Sequence, residues 1–158
     1  MMLDKMTEQE CRAALARASI GRLGCSLDDQ PYVVPVYLAY DSGYIYVLST
    51  YGQKIEWMRA NPKVCVEIDE IVGESRWLSM VVNGRYEELP ETRYEDAREH
   101  ARERLAKRYH WWEPAFAERQ LQAGDRLIDP IFFRIRIDAV TGFRAVAEPS
   151  ESATGTLG

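Results

Sequence analysis

From Ile20 to Val146 the chain is written largely in short apolar runs punctuated by turn residues. Ile20 to Leu27, Tyr32 to Tyr40 and Tyr44 to Ser49 are rich in aliphatic and aromatic residues, and Asp41-Ser42-Gly43 supplies hairpin turn chemistry between the last two. Gly21 and Gly24 punctuate the first of these strands, as glycines do at the bends of a small barrel. Val64 to Ile68 alternates as a strand, and Trp77 to Glu87 reads as a longer one after a loop around Gly73. In Phe133-Arg134-Ile135-Arg136-Ile137 apolar and charged positions alternate, which predicts a strand with one wet face over 131–138. Val140 to Val146 follows as the last strand.

Helical spacing occurs in only a few places. Thr7-Glu8-Gln9-Glu10 has the form of a capping box, and Cys11, Ala14, Leu15 and Ala18 then fall on one helix face. Ile55, Trp57 and Met58 mark a short amphipathic run that closes at Asn61-Pro62. Pro90-Glu91-Thr92-Arg93 starts the longest helix, expected to run to about Tyr109, and Trp111 to Gly124 reads as a shorter helical or irregular piece. About six strands, two or three helices and short hairpin links predict a mainly-β chain, a small antiparallel barrel with peripheral helices. Residues 1–147 are expected to form one domain. Residues 148–158, with Leu157 their one large apolar residue, are expected to be a disordered tail.

Composition narrows the function more by exclusion. A chain of 158 residues, 46% hydrophobic, can bury a core without staples. A net charge of −5 argues against general nucleic-acid binding, and the cations between Arg93 and Arg108 are interleaved with acids as on a solvated helix face. Cys11, Cys25 and Cys65 have no metal-ligand spacing, and an odd, scattered set suits a reducing compartment. The N-terminus lacks the apolar core of a signal peptide and no run is long enough to span a bilayer, so a cytoplasmic location without a membrane partner is expected.

Hydrolytic and metal chemistry find little to work with. The two histidines, His100 and His110, read as a surface residue and a structural neighbour of Trp111-Trp112, and no serine sits in a G-x-S-x-G elbow. Zinc-ligand spacing, a Rossmann glycine fingerprint and a phosphate-binding P-loop are all missing. What does stand out is Ser49-Thr50 followed by Gly52, Gln53 and Lys54 at a helix start. Hydroxyls, a glycine, a helix N-terminus and a lysine make a place for an anion, a phosphate above all. The plain alternative is a hairpin packed on a helix with one solvated lysine. Trp77, Trp111 and Trp112 either pack in a core, close an apolar interface or cover a flat ring.

The order P-x-V-x-P-V-x-x-x-Y from Pro31, S-T-x-G-x-K from Ser49 and W-M-x-x-N-P-x-V from Trp57 resembles the flavin-binding split-barrel proteins related to pyridoxamine 5′-phosphate oxidase. The subfamily of nitroimidazole-resistance proteins is the most similar part of that group. The resemblance continues through Asn61 to Ile68, through Trp77 to Leu89 with its Asn83-Gly84-Arg85, and through Trp111-Trp112-Glu113-Pro114, covering about Thr7 to Ala147. It implies a six-stranded antiparallel FMN-binding split barrel and a homodimer with shared flavin sites. It implies that Val34, Pro35, Val36 and Tyr37 lie along the isoalloxazine ring and that Ser49 and Thr50 bond the ribityl-phosphate end. Gln53 and Lys54 would meet the phosphate where the related oxidases have an arginine-lysine pair, one cation more. Ser79 would reach the flavin from the opposite subunit, in place of a glutamine, and Trp112 would cover it.

The arginine and histidine pattern that holds pyridoxal phosphate in those oxidases is not evident. The resemblance therefore implies an FMN-dependent oxidoreductase acting on a small electron-poor or conjugated molecule, a nitro-group reductase in its sharpest form. An F420-dependent reductase, a non-catalytic flavin- or haem-binding protein and a vestigial site remain open.

Overall fold

The computed structural model of the chain describes residues 1–89, 95–106 and 131–147. Its elements in chain order are β1 (Met2–Lys5), α1 (Glu8–Arg17), β2 (Ile20–Leu27), β3 (Gln30–Asp41), β4 (Tyr44–Ser49), α2 (Gln53–Ala60), β5 (Lys63–Gly73), β6 (Arg76–Glu88), α3 (Glu95–Ala106) and β7 (Ile131–Val146). The strands form one antiparallel sheet in the order β1-β7-β4-β3-β2-β5-β6, and a further β6–β7 pairing closes it. Six strands thus make the ring, as expected.

The seventh strand, β1, was not expected. Met2, Leu3, Asp4 and Lys5 extend the β7 edge opposite Val146, Ala145, Arg144 and Phe143. Four exposed residues carry too little pattern to declare a strand from sequence. β7 also corrects an expectation, because 131–138 and 140–146 are one continuous strand. Its ladder with β6 shifts register between Asn83 and Gly84, so Asp138 is accommodated as a bulge that bends the strand without ending it.

Turn chemistry explains the hairpins. Ser42 (φ 49°) and Gly43 (φ 87°) form a two-residue turn between β3 and β4, and Asp28 (φ 49°) and Asp29 (φ 64°) do the same between β2 and β3. Asp and Gly tolerate this left-handed region, which matches the twist of paired strands. Thr7 caps α1 as its sequence predicted: its hydroxyl accepts from the Glu10 N–H at 3.2 Å, while the Glu10 carboxylate pairs with Arg144 at 2.9 Å. Cys11, Ala14 and Leu15 face inward there, and a Cβ on Gly142 would stand 2.9 Å from Cys11 Sγ, so α1 seats closely against β7.

Alternate residues of each strand fill the barrel: Leu23 and Cys25, Val64, Val66 and Ile68, Met80 and Val82, Phe133 and Ile135. Ile55 and Met58 of α2 join this core, as their spacing predicted, while Trp57 is half-buried with its ring 5.7 Å from that of Tyr32. A second cluster, Ala39, Tyr46, Leu48, Leu89 and Phe132, forms on the β3–β4–β7 side that α3 contacts. His100, expected to be a surface residue, keeps 38% of its side chain exposed and also takes part in that docking. Its Nε2 lies 2.7 Å from Asp41 Oδ2 and its ring meets Tyr46 edge-on at 5.3 Å, while Arg104 reaches the same carboxylate at 3.1 Å. A charged helix face reads as solvated from sequence alone, because an acid 59 residues away is invisible to local periodicity.

Candidate functional site

The ring is unevenly closed where β3 meets its neighbours. Residues 30–37 of β3 pair with β2, from Gln30↔Leu27 to Tyr37↔Ile20. Its pairing with β4 runs only from Asp41↔Tyr44 to Leu38↔Val47. Beyond that point β4 stays with β7 down to Ser49↔Ile131, and β3 continues along β2. The two strands part at Tyr37 and Leu48. Pro35, just beyond the split, has no N–H to extend a ladder.

Into this split opens a cavity of about 270 Å³ lined by Ile20, Pro35, Val36, Tyr37, Leu48, Ser49 and Lys54. The start of α2 forms its far wall. Gly52 is the N-cap, and no side chain caps the helix. A Cβ built on Gly52 meets nothing within 4 Å among the described residues, so the approach to the first helical turn is open. The far end of α2 is tied down: Asn61 Nδ2 donates to Ser26 O at 3.1 Å, and Arg59 pairs with Glu88 at 2.8 Å. Burial raises the pKa of the Glu88 carboxyl, but hydrogen bonds from Arg59 and the Tyr86 hydroxyl outweigh it and hold the group below its ordinary value. That anchor keeps the lysine-bearing turn beside the parted strands.

Of the expected site residues, five converge here: Pro35, Val36 and Tyr37 from β3, Ser49 from the end of β4, and Lys54 from α2. Val34 turns inward and packs against the core. Thr50 is half-buried beside Ser49, and its carbonyl accepts the Ser49 hydroxyl at 3.2 Å. Gln53 opens α2 as an exposed residue outside the cavity lining. Ser79, expected to act on a partner's site, lies on the outer face of β6 and donates to Glu67 Oε1 at 3.2 Å. Burial pushes the Glu67 carboxyl up, with Asp69 beside it adding to the rise. Trp112 and the neighbouring Trp111 and His110 lie outside the described residues. Ile20 and Leu48 line the cavity and were not singled out from sequence, although Leu48 directly precedes Ser49 and Ile20 opens the strand that pairs with Tyr37.

The donor set is one for an oxyanion. It comprises a buried serine hydroxyl, a lysine and the uncapped N-terminus of a helix, beside an apolar wall of Pro35, Val36 and Leu48. No acid-base pair stands among the lining residues, and no group of three or more His, Cys, Asp or Glu among the described residues is arranged to hold a metal. No helix among them is long and apolar enough to cross a membrane. A phosphorylated ligand with a flat apolar body fits this combination.

The sequence profile of the family described as pyridoxamine 5′-phosphate oxidase matches residues 7–144, and the chain belongs to that family. An uncharacterized protein of Rhizobium meliloti (strain 1021) is 40% identical over 148 residues, spanning 93% of this chain and 98% of that one. The crystal structure of an FAD-binding protein from Mesorhizobium loti is 44% identical, with a TM-score of 0.77 over 92% of this chain and 99% of that one. A candidate 5-nitroimidazole antibiotic resistance protein from Bacteroides thetaiotaomicron shares the fold at 18% identity, with a TM-score of 0.66 over 91% and 89% of the two chains.

Proposed function

We propose that this chain is a flavin-dependent oxidoreductase that holds FMN in the split between β3 and β4, as a homodimer with shared flavin sites. The observation that carries this reading is the convergence of Pro35, Val36, Tyr37, Ser49 and Lys54 on one cavity at the start of α2. Lys54 and the α2 N-terminus offset a terminal phosphate of charge near −1.5 to −2, and the Ser49 hydroxyl is within reach of the same group. The β3 backbone beyond the split supports the ring system. Bound there, the flavin supplies the electron or hydride transfer, and the polypeptide orients it and shapes the space beside it. That division of labour accounts for a site without an acid-base pair.

The acceptor in this reading is a small electron-poor or conjugated molecule, a nitro compound in the sharpest version. Ser79 from the second protomer and Trp112 complete the site. FAD is the second reading, favoured by the FAD-binding protein that is 44% identical. In that case the phosphate nearest the ribityl chain takes the place of the FMN phosphate.

The visible absorption spectrum of the purified protein distinguishes flavin from F420, haem and empty protein, and extraction of the pigment separates FMN from FAD. Reduced protein is then mixed anaerobically with a nitroaromatic. The enzyme reading expects reoxidation faster than that of free reduced flavin, because the acceptor is held at transfer distance. Equal rates for free and bound flavin across several acceptors would leave a binding protein.

A further inference from the structure

A second, larger cavity lies away from the split, on the outer face of β2, β5 and β6. It is a groove of about 550 Å³, whose lining includes Tyr32, Val33, Lys63, Cys65, Asn83 and Arg85. This volume falls within the range that small-molecule sites occupy. The outward residues of these strands make its floor, since Leu23, Val64, Val66 and Val82 turn into the core. Gly24 sits directly under Cys65, whose Sγ would lie 2.8 Å from any Cβ placed there.

Its charge arrangement places two exposed cations side by side. Lys63 and Arg85 are exact cross-strand partners in the β5–β6 ladder, and Arg85 in turn opposes Arg136 of β7. Directly opposed residues share a face, so like charges here repel. Among the described residues neither Lys63 nor Arg85 has an ion-pair partner. Elsewhere Arg17, Arg22, Arg59 and Arg144 are each answered by an acid at 3.0, 3.0, 2.8 and 2.9 Å. The nearby acids are already engaged. Asp138, which lines the groove, lies 3.6 Å from Arg136, and Glu87 is held by Arg134 at 2.7 Å. A chain of net charge −5 has acids to spare, yet these two cations stand together without one.

We propose that this groove binds a small organic oxyanion, a carboxylate or phosphate monoester on a flat apolar body. Its charged head lies between Lys63 and Arg85, and its body rests against Val33, which projects outward and is exposed. Ser26 and Asn83 supply neutral hydrogen-bonding groups at the rim. The guanidinium of Arg85 suits a planar or tetrahedral oxyanion, with the Lys63 ammonium as a second point charge. The ligand relieves the repulsion between the opposed cations, so binding weakens as salt rises. The groove shares no lining residue with the Lys54 cavity, although Asn83 and Arg85 lie on the same face of β6 as Ser79, which the flavin reading gives to a second protomer.

Titration calorimetry of the full chain with phenyl phosphate, phenyl carboxylate (benzoate), inorganic phosphate and phenol tests it. The expected result is binding of phenyl phosphate or benzoate, at least tenfold weaker binding of inorganic phosphate and none of phenol. Arg85→Gln and Lys63→Gln should each weaken the bound probe at least tenfold while leaving the melting temperature of the ligand-free chain no lower, because the repulsion is relieved, whereas Lys54→Ala should leave the probe's affinity as it was. Cys65 reports independently: the bound probe should slow its alkylation by iodoacetamide, and the double variant should lose that protection. Unchanged affinity in the double variant would overturn the proposal, as would loss of binding in Lys54→Ala, which would place the probe in the other cavity. Equal binding of inorganic phosphate would overturn the apolar-body assignment. A change in oligomeric mass in the double variant, without a change in probe binding, would assign the cations to a partner chain instead.

Discussion

The two sides of the barrel solve the same closure problem differently. On one side β6 and β7 pair from Trp77↔Ala145 to Glu88↔Phe133, and a bulge at Asp138 absorbs the register shift so that the ladder never opens. On the other side β3 and β4 separate after Leu38↔Val47, and a helix start stands where further pairing would have been. The closed side spends its residues on packing: Phe133 is wholly buried and Gly84 has no room for a Cβ beside the Arg136 backbone. The parted side places a buried serine hydroxyl, a half-buried lysine and a helix start around an opening. Close packing therefore belongs to the first, and the open cavity to the second.

Mutations of similar size should separate the two sides. Phe133→Ala should destabilise the fold by about 3–5 kcal/mol, the range for emptying a fully buried aromatic site, as measured by urea unfolding. Gly84→Ala should cost roughly 1–3 kcal/mol, because the added methyl meets backbone and no flexible side chain can give way.

The α3 dock should respond to acid. Burial raises the Asp41 pKa, but hydrogen bonds and charge from His100 and Arg104 outweigh it and hold the carboxyl below its ordinary value. A depressed folded pKa contributes stability above the unfolded value and loses it as pH falls through the lower folded one. Asp41→Asn should thus cost about 1 kcal/mol or less at neutral pH, and the gap between the two proteins should close below about pH 4. A gap that stayed constant with pH would remove the carboxylate from the docking. The smallest effect belongs to the parted side. Lys54→Ala should change unfolding free energy by less than about 0.5 kcal/mol, since the side chain lies outside the hydrophobic core.

The same contrast decides what could be read from the sequence. The closed core was legible because alternation in Val64 to Ile68 and Phe133 to Ile137 is local, and the Thr7 cap is written in consecutive residues. The anion site was legible as a string, Ser49 to Lys54, because its parts are close in the chain. The split itself was not, since it depends on β3 staying with β2 while β4 stays with β7. That choice between partners leaves no periodic mark. Ile20 was missed for that reason, and the contact of His100 with Asp41 because the carboxylate is remote in sequence. β1 was missed because four residues pairing at an edge need no pattern of their own.

The central claim is that a flavin phosphate sits between the parted strands and Lys54. Affinities for FMN and riboflavin, measured by flavin fluorescence on wild type and Lys54→Ala, test it most directly, because the two ligands differ only in the phosphate. Wild type should prefer FMN at least tenfold, and Lys54→Ala should lose roughly 1.5–3 kcal/mol of FMN binding while riboflavin binding stays as it was. Equal affinities for FMN and riboflavin in the wild type, or an FMN affinity that Lys54→Ala leaves untouched, would contradict it.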